Sequence, residues 1–137
     1  MQADTETEAG VRAVLDRLAA VYVSRDAGAL ASIFASDPDV VMYSPGAEKT
    51  IGVAAIQDKA LSDWSRTDSA NLTYRWISVS AAASVAWVAT DADFTVSAGG
   101  EETTMPARIT FVLEQRGEDW LIVQAHYALA PSPAPSS

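Results

Sequence analysis

Asp119–Leu129 reads D-W-L-I-V-Q-A-H-Y-A-L and holds the only histidine of the chain, His126. Side chains alternate along a strand. Alternation predicts Trp120, Ile122, Gln124, His126 and Ala128 on one face, and Leu121, Val123, Ala125, Tyr127 and Leu129 on the other. The second face is apolar apart from one phenol, whereas the first mixes apolar groups with an amide and an imidazole. Such a strand packs one face in a core or interface and lines a pocket with the other.

Three further alternating runs precede it, at residues 72–80, 84–97 and 102–115. The connections at 81–83, 98–101 and 116–118 are short, and short connections join antiparallel neighbours into a meander. Closing the last hairpin around 116–118 sets Arg108 opposite His126, with Thr110 opposite Gln124 and Val112 opposite Ile122. Closing the preceding one around 98–101 sets Asp91 opposite Arg108 and Trp87 opposite Val112. Directly opposed side chains share a face. One face then carries Trp87, Asp91, Arg108, Thr110, Gln124 and His126. The other carries Val88, Ile109, Phe111, Val123 and Tyr127. The polar face is expected to floor a pocket, with Arg108 between Asp91 and His126. The apolar face is expected to be covered by a second copy of the chain.

Upstream the period is helical. Val11, Val14, Leu15, Leu18 and Tyr22 recur at spacings of three and four, which predicts an amphipathic helix over 5–24, capped by Thr5 or Thr7. Asp26 starts a short helix over 27–34, ended by Asp37-Pro38-Asp39. A strand at 40–43, a turn at 44–47 and a helix over 53–65 follow. Helices first and strands afterwards make an α+β domain with helices on one face of the sheet. Residues 1–130 form one domain, and the Pro/Ser-rich tail at 131–137 is expected to be disordered.

Composition excludes several functions. The formal charge is −9 over 137 residues, with a pI of about 4.3. Such a surface repels nucleic acid and anionic membranes. Without cysteine there is no disulfide, thiol nucleophile or thiolate site. No apolar run approaches the roughly 18 residues needed to span a bilayer. The acidic start does not resemble a secretory signal, so the cytoplasm is the default location.

The candidate chemistry is sparse, and each residue has a plain alternative. His126 is a general base or a satisfied pocket histidine. Asp91, like Asp93, is a base or marks the wet rim of a curved sheet. Arg108 binds a ligand carboxylate or enolate, or makes a structural ion pair with Asp91. Tyr43, Trp64 and Trp87, with Trp76, form a ligand wall or pack in the core, and Gln124 shares the polar row. A single imidazole makes a poor zinc site, so no metal or other cofactor is expected.

Taken in order, these pieces resemble the SnoaL-like branch of the nuclear transport factor 2-like superfamily. The carrying residues are the long first helix, Arg25-Asp26-Ala27 before Leu30 and Phe34, Asp37, and Pro45-Gly46. Gly52-Val53-Ala54-Ala55-Ile56, Val85-Ala86-Trp87-Val88, the Arg108–Leu113 run and the Trp120–His126 run complete the set. The resemblance implies a cone: a strongly curved antiparallel sheet wrapped around N-terminal helices, with a pocket between. It also implies a homodimer through the outer face of the sheet. Members include isomerases, dehydratases and polyketide cyclases. The similar association domain of calcium/calmodulin-dependent kinase II is an oligomerisation module. The chain departs from the pattern at Gln124, where a second histidine is common, and at Ala128, where serine is common. The expectation is a small-molecule pocket protein acting on a small apolar carbonyl compound. A non-catalytic binding or assembly module is the alternative.

Overall fold

The computed structural model describes residues 1–46 and 48–130, so the expected disorder of the 131–137 tail falls outside the described residues. Three helices, α1 (Thr5–Ser24), α2 (Ala27–Ser32) and α3 (Val53–Trp64), accompany six strands. The strands are β1 (Val41–Tyr43), β2 (Lys49–Ile51), β3 (Ser69–Ala82), β4 (Val85–Ala98), β5 (Glu101–Arg116) and β6 (Asp119–Leu129). They form one curved, unclosed sheet in the order β2-β1-β6-β5-β4-β3. The α+β architecture with N-terminal helices is the one the sequence predicts.

Asp4, not Thr5 or Thr7, caps α1: its carboxylate accepts the Thr7 N–H at 2.7 Å. The buried stripe Val11, Val14, Leu15, Leu18 and Val21 faces the sheet. Asp26 caps α2 through the Ala29 N–H at 3.1 Å. That helix stops at Ser32, before the expected Phe34, because the backbone leaves to pair with β6. Ile33 C=O accepts the Ile122 N–H, and Ala35 N–H donates to Ile122 C=O, each at 2.9 Å. β2, three residues long, has no counterpart in the sequence pattern; it pairs antiparallel with β1, which runs parallel to β6.

The meander exists, and its β4–β5 register is the expected one, with Asp91 opposite Arg108 and Trp87 opposite Val112. The β5–β6 register differs in two places. The turn is one residue tighter, pairing Arg116 with Asp119, and an extra residue, Val123, is bulged between the Leu113–Ile122 and Val112–Gln124 pairs. The two shifts add, so His126 faces Thr110, and Arg108 faces Ala128. The bulge also changes the phase of the strand. Trp120 and Ile122 point into the core together with Ala125 and Tyr127, while Gln124, His126 and Ala128 point out. A second bulge between Tyr74 and Trp76 bends β3. The buried Thr90 hydroxyl donates to the Trp76 carbonyl beside it at 2.6 Å.

The helices pack on the apolar face. Val88, Ile109, Phe111 and Tyr127 are buried in the core with Leu15, Leu18, Ile33 and Ile56. The sequence reading sets Ile109, Phe111, Val123 and Tyr127 near the centre of a subunit interface. That placement is overturned: Ile109 and Phe111 are each 1% exposed within the single chain. The hydrophobic effect selects the more apolar side of an amphipathic sheet for the chain's own helices.

Candidate functional site

Between the helices and the concave face of the sheet lies a cavity of about 420 Å³. α1 contributes Leu18, Val21 and Tyr22; α3 contributes Ile56, Lys59, Ala60, Asp63 and Trp64. The sheet adds Met42, Phe94, Val96, Met105 and Tyr127, and the β1–β2 loop adds Ser44, Pro45 and Glu48. An aromatic cluster builds the floor. Tyr22 meets Phe94 edge-on with centroids 5.4 Å apart, and Tyr127 lies 6.0 Å from both Phe94 and Phe111.

Besides the hydroxyls of Ser44 and Thr67, two sets of polar groups enter this apolar chamber. The first is the pair of phenols. Burial pushes the Tyr22 hydroxyl up to about 12, against the lowering effect of the neighbouring Tyr127 hydroxyl and with a further rise from the Asp63 charge. Burial also holds Tyr127 well above the usual phenol range. Both stay neutral in physiological buffers. The second lies at the open side of the cavity. There Lys59 Nζ contacts the Glu48 carboxylate at 2.7 Å and the Asp63 carboxylate at 3.1 Å. Glu48 is held below the usual carboxylate range, mainly by its hydrogen bond from Lys59. Burial disfavours the Lys59 ammonium, but the two carboxylates more than compensate and raise it.

Arg25 fixes the far wall. It sits in the left-handed region at φ 57° as the C-cap of α1. Its guanidinium donates to the Trp64 and Thr67 carbonyls at 2.6 and 2.8 Å and to the Thr67 hydroxyl at 2.8 Å. Asp37 and Arg116 make a bidentate pair that pins the loop after α2 to the end of β5.

Of the residues singled out in the sequence, Trp64 lines this cavity. Asp91, Arg108, Trp87, Gln124 and His126 occupy the opposite, convex face, with Trp76 and Tyr43. The expected pocket-floor row of Asp91, Arg108 and His126 therefore does not form. Asp91 and Arg108 are neighbours across strands, but among the described residues no ion pair joins them. Asp93 instead meets Arg75, at 3.1 Å on the same convex side. His126 packs against Tyr43, with ring centroids 5.4 Å apart. It borders a more open depression with Ser44, Pro45 and Gly46. Tyr22, Lys59 and Asp63 each sit on a helical stripe or rim whose sequence reads as ordinary packing or solvation. A polar handle within an apolar stripe, as at Tyr22, was the available signal.

The SnoaL-like domain matches residues 11–132, and the chain belongs to that family. Solved structures with the same fold are nuclear transport factor 2-like proteins. An NTF2-like family protein of Streptomyces avermitilis, provisionally assigned as a dehydratase, is 15% identical with a TM-score of 0.85, covering 95% of this chain and 100% of that one. A provisionally assigned aromatic ring hydroxylase of Novosphingobium aromaticivorans is 13% identical with a TM-score of 0.86, covering 96% and 94%. A protein of Xanthomonas campestris, provisionally assigned as a calcium/calmodulin-dependent protein kinase II association domain, is 23% identical with a TM-score of 0.78, covering 90% and 87%. At these identities the likeness is one of fold. No curated protein matches the chain. Among the described residues, no helix is long and apolar enough to cross a membrane.

Proposed function

We propose that this protein binds a small, mostly apolar carbonyl compound in the cavity between the helices and the concave face of the sheet. The observation that carries this reading is the chamber of about 420 Å³, apolar on most sides, with two neutral phenols on its floor. Apolar walls with a few convergent polar groups are the usual build of a small-molecule site. Tyr22 lines the cavity with a neutral hydroxyl, which is the proposed donor to a carbonyl oxygen. A neutral donor in an apolar setting also stabilises charge developing on that oxygen, which is what isomerase, dehydratase and cyclase chemistry requires. Asp63 lines the cavity and its charge acts on Tyr22, so it is the proposed base for a proton abstraction there. Asp91 and His126 lie outside the chamber and have no part in such a step.

The test is to fill the chamber. Calorimetric titration of a neutral ketone is expected to give saturable binding, and Ala60→Trp is expected to abolish it without lowering the melting temperature. Equal binding by the filled variant sinks the reading. For catalysis, the bound ketone is expected to exchange its α-protons with deuterated water. Tyr22→Phe should slow that exchange by about a hundredfold. Exchange at the same rate in Asp63→Asn removes Asp63 as the base.

A second reading concerns assembly, and the aromatic convex face favours it. Trp76 is 55% exposed and Tyr43 43%, with Trp87 and Val112 on the same side. We propose a homodimer through this face, centred on Trp76, Trp87 and His126. Sedimentation equilibrium is expected to give twice the 14.5 kDa chain mass. Trp87→Asp should halve it, and a wild-type chain that stays monomeric defeats the proposal.

A further inference from the structure

We propose that Lys59, Glu48 and Asp63 act as a charge filter at the mouth of the cavity, admitting neutral ligands and refusing monoanions. The proposal rests on the cavity being the ligand site and adds the ionic class of what enters it.

The three side chains come from two elements that face each other across the opening. Lys59 and Asp63 stand one turn apart on α3, and Glu48 reaches across from the β1–β2 loop. The carboxylates are the wet side of the group, with side chains 65% and 50% exposed, while the Lys59 side chain is only 18% exposed. Lysine is thus sunk between its partners rather than reaching out. Its ammonium is already engaged by both carboxylates, at 2.7 and 3.1 Å. One cation against two carboxylates leaves the mouth with a single net negative charge.

Nothing deeper in the cavity offsets that charge. Lys59 is the only cationic side chain among the described residues of the lining. Arg25, the other cation near this wall, spends its guanidinium on Trp64 and Thr67. A carboxylate ligand would lose its hydration, meet a net repulsion, and find only neutral donors, phenols and hydroxyls, in the lining. That combination is costly for a buried ion. A neutral ligand with one hydrogen-bond acceptor incurs none of these penalties. The overall charge of −9 acts in the same direction at longer range.

The experiment compares probes that share one apolar skeleton: naphthamide, naphthoate and naphthylmethylammonium, titrated calorimetrically into the full chain. Wild type is expected to bind naphthamide about tenfold or more tightly than naphthoate. Glu48→Gln and Asp63→Asn each remove one negative charge from exposed positions. Each should strengthen naphthoate binding by about tenfold, and the two together by more than either alone, short of additivity because they share Lys59. Each variant is read as its naphthoate-to-naphthamide affinity ratio, which should rise, and the ammonium probe should weaken in step. Added salt should narrow every one of these differences. Naphthoate binding as tightly as naphthamide in wild type overturns the filter and leaves the cavity reading intact. So does a naphthoate affinity that neither substitution moves. If naphthamide itself fails to bind, the cavity reading falls and the filter falls with it.

Discussion

The concave and convex faces of strands β4, β5 and β6 are built from alternate residues of the same segments, yet they live in different surroundings. The concave face presents Val88, Ile109, Phe111 and Tyr127 to helices and cavity. The convex face presents Trp87, Asp91, Arg108, Thr110 and His126 to the outside. Polar residues on a sheet tempt the eye towards chemistry. Here they mark the outside, and the chamber is built from apolar residues with two phenols and a charged mouth. Burial selects by hydrophobicity first, and chemistry is then served by whatever polar atoms the core can tolerate.

The sharpest way to break this comparison is to place a charge on each face. Phe111→Asp buries a carboxylate among apolar side chains and removes a ring at the centre of the core. It should cost about 4 kcal/mol or more, enough to unfold the chain in a denaturant titration. A folded, dissociated protein from that substitution would return Phe111 to a subunit interface.

Alkali offers a second test on the concave side. The Tyr22 phenol is pushed up to about 12 when folded, against about 10 in an unfolded chain. Between those values the unfolded chain binds fewer protons, so the contribution of Tyr22 is fully present below about pH 10 and lost as pH approaches about 12. The Tyr22 share of the loss should be about 2 kcal/mol in urea titrations across that window, and Tyr22→Phe should reduce the slope by that share, leaving the part due to the buried Tyr127.

A smaller effect probes the contact between α1 and β6. A Cβ at Gly10 would lie 2.9 Å from Trp120 Cδ1. Gly10→Ala should therefore lower stability by about 1 kcal/mol, although alanine favours a helix interior by about that amount. A more stable variant would mean that Trp120 moves freely. The least effect belongs to the convex face. Arg108 is exposed without an ion-pair partner among the described residues. Arg108→Ala should change stability by less than about 0.5 kcal/mol. A loss of several kcal/mol would restore the buried pair with Asp91.

Much of the fold was legible because its signals are local. The stripe from Val11 to Val21, the Asp26 cap and the β4–β5 register all follow from spacing within one element or one tight turn. The bulge at Val123 was not, because an extra residue in a strand carries no mark in composition, yet it reverses the phase of everything beyond it. The covered face of the sheet was illegible for a different reason. Alternation says that the two faces differ, and it is silent on whether a helix or a second chain covers the apolar one. The cavity is less legible still. Tyr22, Lys59, Phe94 and Tyr127 come from four elements far apart in sequence, and only the packed structure brings them to one wall.

Arg25 ties the end of α1 to the end of α3 with three hydrogen bonds from one guanidinium. In mechanical terms it is a spacer of fixed length, set where the chain turns left-handed and spanning the gap between two cavity walls. The bore of the chamber is then tied to the reach of one side chain as well as to the bulk of the residues that line it. Natural variation in ligand size could accordingly be tuned from this corner, without touching any group that meets the ligand.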